Sequence, residues 1–245
     1  MGKPNSIPVS NDAEFERLLK RLSEDIVEAP AFLRLDRLLY SKFKEYEREV
    51  NNSAFYWTFS VKAIREAGLV RIARIYDQEQ SALSLRRLLL TIQANPHFFD
   101  DDTVKRRVNP EYAATMTPSS HLPNPTQIAN DLELVSDDDP LVHKIVRWRN
   151  TSGAHISAKT TLKRPVIADP LTFEDADKLC SRAFDVFNRY TSLFHATTHS
   201  RMIIGEQGSV ESVFKFLRLG FEAYDKQIEE EFERWTNIAK KPPAN

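Results

Sequence analysis

An all-α fold is predicted by three features of the sequence. Apolar residues recur at helical spacing in most of the chain, no segment reads as a strand, and there are only 6 glycines among 245 residues, fewer than tight hairpin turns usually need. The expected architecture is a helical bundle with additional N- and C-terminal helices and a long loop. With 41% hydrophobic residues, 28% charged residues and a net charge of -1, the composition is that of an ordinary globular protein. Such a surface does not attract nucleic acid as a whole, so any phosphate contact must come from a local cluster.

Residues 1–10, with Pro4 and Pro8 among polar side chains, are expected to form a flexible arm. Met1-Gly2-Lys3-Pro4-Asn5-Ser6 fits the loose myristoylation pattern, but no polybasic partner follows it. N-terminal helices are expected over 11–50. Asn11-Asp12 caps a run through Phe15, Leu18, Leu19, Leu22 and Ile26 that Pro30 should break, and a second run fades at Asn51-Asn52-Ser53. A bundle is expected over 51–200. Its first helix, capped by Ser53, runs from Ala54 to about Asp77, and its apolar residues, from Phe55 and Phe59 to Ile72 and Ile75, cover more than one face, which places it in the middle of the bundle. Its last turns carry Arg71, Arg74 and Asp77.

A helix starting at Ser81 or Ser84 should end before Pro96. Over 97–125 the periodicity disappears among Asp100-Asp101-Asp102, Pro110, Pro118, Pro123 and Pro125, and a long loop insertion is expected. A short helix from Thr126 to about Val135 follows, and Asp137-Asp138-Asp139-Pro140 is a strong helix start, with acids at the positive end of the dipole and proline in the first turn. Thr172 and Asp175 form a capping box for a long amphipathic helix, and a last helix is expected over 208–238.

The chemistry concentrates in Arg149-Asn150-Thr151-Ser152-Gly153-Ala154-His155. Arginine keeps its charge at cellular pH whereas histidine takes and gives protons there, and phosphodiester chemistry uses both abilities. If the preceding helix stops at Thr151-Ser152-Gly153, His155 can fold back towards Arg149. Arg189 and His195 have the same separation, but on a continuous helix six positions correspond to about 240° and about 9 Å, so those side chains diverge. His195 and His199 could share a metal, yet Ala196 stands where a zincin helix has its glutamate, and neither metal nor cofactor is expected. Cys180 reads as a buried structural thiol. No apolar run approaches the roughly 18 residues that span a bilayer, so no membrane association and a cytoplasmic location are expected.

The chain resembles the HEPN superfamily, and within it the abortive-infection HEPN proteins of bacterial phage defence. The resemblance rests on Leu69-Val70-Arg71-Ile72-Ala73-Arg74-Ile75-Tyr76-Asp77, the leucine-rich helix after it, the Arg149-Asn150 to Ala154-His155 motif and Leu171-Thr172-Phe173-Glu174-Asp175, and it covers roughly residues 50–197. It implies a helical bundle that pairs so that two motif copies face each other, acting as a metal-independent endoribonuclease. Within that implication His155 is general acid or base, Arg149 holds phosphate oxygens, and Asn150 orients one or the other. The products would be a 2′,3′-cyclic phosphate and a 5′-hydroxyl. Arg74 and Asp77 are supporting candidates: Asp77 anchors Arg149 or His155, or the two form a purely structural ion pair. Lys159, Lys163 and Arg164 follow the motif where an RNA backbone would leave it. The implied partners are RNA, a second copy of the chain, and an inhibitory or sensor protein. Ser157 occupies the position of a tyrosine that partner enzymes modify in some HEPN toxins, so silencing by that route does not apply. A non-catalytic HEPN module using the same groove for a nucleotide or protein, and a helical scaffold without a site, are the other readings.

Overall fold

The computed structural model describes residues 6–116, 121–153, 169–202 and 205–239, and among these all regular structure is helical. The helices are α1 (Asp12–Phe43), α2 (Glu47–Asn52), α3 (Ala54–Ile75), α4 (Leu85–Ala94), α5 (Asp101–Arg107), α6 (Pro110–Thr115), α7 (Pro125–Leu134), α8 (Pro140–Trp148), α9 (Phe173–His195) and α10 (Glu206–Ala239). A 3-10 turn covers Pro96–Phe99 and a π-type turn covers Arg149–Gly153. The chain divides into two compact units, one of residues 1–33 with 64–202 and the other of residues 34–63 with 203–245. No helix among the described residues is long and apolar enough to cross a membrane.

The first unit is built around α9. Leu179, Cys180, Ala183, Phe184, Phe187 and Tyr190 are among its buried residues, only Glu174, Lys178 and Asp185 along it are exposed, and Cys180 is a buried free thiol as expected. The capping box holds as read: the Thr172 hydroxyl accepts from the Asp175 N–H at 3.1 Å, and Asp175 accepts from the Thr172 N–H at 3.0 Å. The central position expected for α3 therefore belongs to α9. In this unit the C-terminal part of α3 is core, with Ile72, Ala73 and Ile75 buried; near its start Trp57 and Val61 are buried in the second unit, whereas Phe55 and Phe59 are 79% and 56% exposed. Gly68 admits close approach of α1, since a Cβ there would lie 3.2 Å from both Leu33 and Phe32 side-chain atoms.

Pro30 does not break α1, which continues to Phe43. An interior proline costs about 3 kcal/mol or more through its missing N–H and its clash with the preceding turn. Against this, Phe15, Leu19, Leu22, Ile26 and Leu33 are all buried in one core, at about 1.5–3 kcal/mol per large side chain. Tertiary burial wins. The T-shaped contacts of Phe15 with Phe99 and Phe194, at 5.9 and 5.0 Å, anchor the start of the helix. Ahead of it, Ile7 donates its N–H to the Thr91 hydroxyl at 2.9 Å and Val9 packs on the core, so the second half of the expected arm is docked.

The stretch expected as a long loop holds the 3-10 turn, α5 and α6. Three of the residues read as interruptions start helices instead: Asp101 and Asp102 sit in the first turn of α5 with Lys105, Arg106 and Arg107 in its last, and Pro110 opens α6 behind an Asn109 cap. Phe98, Phe99 and Val104 are buried. Arg107 ties the segment down, lying 3.7 Å over the Phe194 ring and donating to the Phe98 carbonyl at 2.6 Å and to Asp12 at 3.3 Å.

In the second unit Trp57 stacks on Phe214 at 5.1 Å, with Phe43 and Tyr46 against the same ring. Arg34 pairs with both carboxylate oxygens of Glu206 at 2.8 and 2.7 Å, and Arg218 lies 3.9 Å over the Tyr46 ring.

Candidate functional site

The arrangement around Arg149 follows from the periodicity of α8. Asp139 caps it, accepting from the Leu141 and Val142 N–H groups at 2.9 and 3.0 Å, with Pro140 in the first turn. Val142 and Ile145 are buried, and Arg149, seven and four positions later, falls on the same side of the helix. Its guanidinium is thereby carried towards the protein. A charge in that position needs a partner, and Asp77 supplies it: Arg149 Nη1 donates to Asp77 Oδ1 at 2.7 Å. The Asp77 side chain is 10% exposed and that of Arg149 29%. Among the described residues Nη1 alone is engaged, so Nε and Nη2 of the fork remain available on a half-exposed side chain.

Asp77 is held at the end of α3. It accepts from the Glu79 N–H at 3.0 Å, closing the turn after the helix. On one side Tyr76, fully buried, donates its hydroxyl to the Leu179 carbonyl of α9 at 2.8 Å, and burial pushes its phenol far above the usual ionisation range. On the other side Gln78 donates to the Val135 carbonyl at the end of α7 at 3.0 Å. Tyr76 and Gln78 therefore position the carboxylate, and neither stood out in the sequence.

The helix expected to stop at Thr151-Ser152-Gly153 changes character earlier. From Arg149 the backbone widens into the π-type turn, a geometry that recurs at functional sites. The Thr151 hydroxyl donates to the Arg147 carbonyl at 2.8 Å, a local competitor with the helix ladder. Asn150 is exposed at this turn. Beside α8, Lys144 reaches Asp169 at 2.9 Å and Asp175 at 3.1 Å, and Arg147 donates to the Asp169 carbonyl.

Two carboxylates of this framework have depressed pKa values. Burial alone would raise Asp175, but the Thr172 backbone and hydroxyl and Lys144 outweigh it. Burial likewise works against Asp139, and Arg182 with the Val142 and Leu141 N–H groups prevails. A folded-state value below the unfolded one means that the stabilisation is complete above the ordinary aspartate value of about 3.9 and is lost as pH falls through the lower folded value. The urea midpoint should therefore drop as pH is lowered below about 4, and Asp175→Asn should flatten that drop. An unchanged pH profile in that variant would rule out the contribution.

Arg74, a supporting candidate, is directed elsewhere: its Nε donates to Asp25 Oδ2 at 2.9 Å, and Nη2 also contacts that carboxylate. His155, Lys159, Lys163 and Arg164, together with Ser157, lie outside the described residues. The second arginine and histidine pair diverges as expected, Arg189 to Asp131 at 2.6 Å and His195 to Glu16 at 3.5 Å. His199 lies beyond the end of α9, where Ala196 adopts φ 55°, so it does not share a helical face with His195. Among the described residues no group of three or more His, Cys, Asp or Glu side chains is placed to hold a metal ion.

The family model HEPN_AbiU2, described as AbiU2, matches residues 12–213, beginning well before the roughly 50–197 covered by the resemblance. No curated protein and no solved structure matches the chain.

Proposed function

Since the chain belongs to the AbiU2 family of abortive-infection HEPN proteins, we propose that it is a metal-independent endoribonuclease whose cleavage centre is formed by Arg149 and His155. The observation that carries this reading is the state of Arg149: one nitrogen of the guanidinium is clamped by Asp77 at 2.7 Å, and the rest of the fork is unengaged among the described residues. That is how an arginine is held in register while keeping donors for an anion.

RNA brings its own nucleophile, the 2′-hydroxyl, so the protein has to move protons and stabilise the charge that builds on the phosphorane. Arg149 binds the non-bridging phosphate oxygens. His155 takes the proton from the 2′-hydroxyl or delivers one to the departing 5′-oxygen, and the histidine of a second copy takes the complementary role. The 2′-oxygen to phosphorus bond forms, the bond from phosphorus to the 5′-oxygen breaks, and the products are a 2′,3′-cyclic phosphate and a 5′-hydroxyl. Asn150, exposed beside the arginine, orients phosphate or imidazole. Lys159, Lys163 and Arg164 take the outgoing backbone. In this reading the protein works in the cytoplasm in phage defence, restrained by an inhibitory or sensor partner.

Purified protein incubated with mixed RNA in EDTA should cut it and leave cyclic-phosphate ends. His155→Ala should lower the rate by about 10²–10⁴-fold, the usual contribution of a positioned general acid or base. Absence of cleavage at every protein concentration would leave a non-catalytic module that binds a nucleotide or protein in the same groove.

A further inference from the structure

The last helix carries an apolar seam that its own unit covers only in part. At 3.6 residues per turn, Val210, Phe214, Leu217 and Phe221 fall within an arc of about 80°, and Tyr224, Ile228, Phe232 and Trp235 continue the same arc. The first half is covered in part: Val210 and Phe214 are 6% and 0% exposed. The second half is open, with Tyr224, Ile228, Phe232 and Trp235 at 59%, 46%, 73% and 76%, and every residue from 226 to 235 is exposed. Four such side chains leave on the order of 400 Å² of apolar surface in one line, a size that marks an interaction site on a soluble protein. An α-helix draws most of its stability from packing such a face, and nothing described packs this one.

The seam is also notched. Val213, Phe216, Leu217, Gly220, Phe221 and Tyr224 line a groove of about 730 Å³, and a Cβ built on Gly220 would meet nothing within 4 Å. Glycine weakens a helix interior, and among the described residues no side chain occupies the space above it. A knob from another helix fits such a hole.

Charge selects the occupant. Residues 221–235 carry six carboxylates against two cations, Lys226 and Arg234. That field repels RNA and anionic bilayers, and pairing this segment with a second copy of itself would set six carboxylates against six. A helix with lysine or arginine along both flanks of an apolar seam meets both demands. Residues 214–239 lie beyond the stretch that the family model matches. We infer that the C-terminal half of α10 is a docking surface for a basic amphipathic helix of a partner protein, seated on Tyr224, Ile228, Phe232 and Trp235 with a side chain in the Gly220 notch. This does not depend on RNA cleavage.

The probe is a labelled synthetic peptide of about 21 residues with a leucine seam at 3-4 spacing and lysine flanks, titrated into the full chain with anisotropy as readout; its control has glutamate flanks. The lysine peptide should bind at least about tenfold more tightly than the control, more weakly as salt rises, and with a change in Trp235 emission. Phe232→Ser with Trp235→Ser leaves every charge in place and should weaken binding by about tenfold or more. Gly220→Gln, which favours the helix while filling the notch, should do the same. Equal binding of both peptides, or undiminished binding in these variants, would overturn the inference. So would a dimer in sedimentation that the double serine variant dissociates, because a second copy would then occupy the seam.

Discussion

Replacing Arg149 with lysine is expected to lower RNA cleavage by about 10²-fold, almost as far as alanine does, and to act on kcat more than on KM. The reason is geometric. Asp77 takes one donor of the guanidinium at 2.7 Å and leaves the others in a fixed plane. An ammonium at that position would be drawn to the same carboxylate as a point charge and would present no planar fork to the phosphate. Asp77→Asn should have an effect of the same order for the opposite reason: the fork stays intact but is no longer clamped, and an error of about 1 Å in such a group costs about 10²-fold. Urea unfolding run alongside separates activity from stability, since the Asp77 side chain is 10% exposed and loses its partner in Arg149→Ala. Cleavage at the wild-type rate in Arg149→Lys would mean that a positive charge suffices there, and the proposed role of the fork would have to be abandoned.

What could be read from the sequence was what local periodicity and capping chemistry encode. Thr172 and Asp175 close the capping box, and Asp139 and Pro140 start the helix that presents Arg149, each relation spanning ten positions or fewer. Contacts that depend on distant parts of the chain were not legible. Asp77 and Arg149 are 72 positions apart, and no sequence feature decided between an anchor for Arg149, an anchor for His155 and a pair with Arg74. Arg74 goes to Asp25, 49 positions away. The continuity of α1 through Pro30 likewise reflects burial against distant helices, which overrides a local rule. Asp100 to Asp102 and Pro110 read as breakers in the sequence because their role as helix starts shows only when Phe98, Phe99 and Val104 have a core to enter.

Asp131→Ala should cost about 3 kcal/mol of stability, measured by urea unfolding at neutral pH. This carboxylate is fully buried and collects donors from two helices: Arg189 Nη1 at 2.6 Å and the Tyr190 hydroxyl at 2.7 Å from α9, and Gln127 at 3.0 Å from α7. Burial pushes the Tyr190 phenol up and its bond to Asp131 pushes it further, so the hydroxyl remains a donor throughout the working range. Removing the acceptor strands Tyr190, which is buried, whereas Arg189 is 37% exposed and can turn to water, which keeps the loss at the lower end of the range for a broken buried pair. Asn in its place should cost about half as much, because one acceptor oxygen survives. A loss below about 1 kcal/mol in the alanine variant would show that the network does not fasten α7 to α9. If the network does, activity should suffer beyond the fraction unfolded: the Val135 carbonyl at the end of α7 holds Gln78, the neighbour of Asp77, so a looser α7 releases the clamp on Arg149 in protein that is still folded.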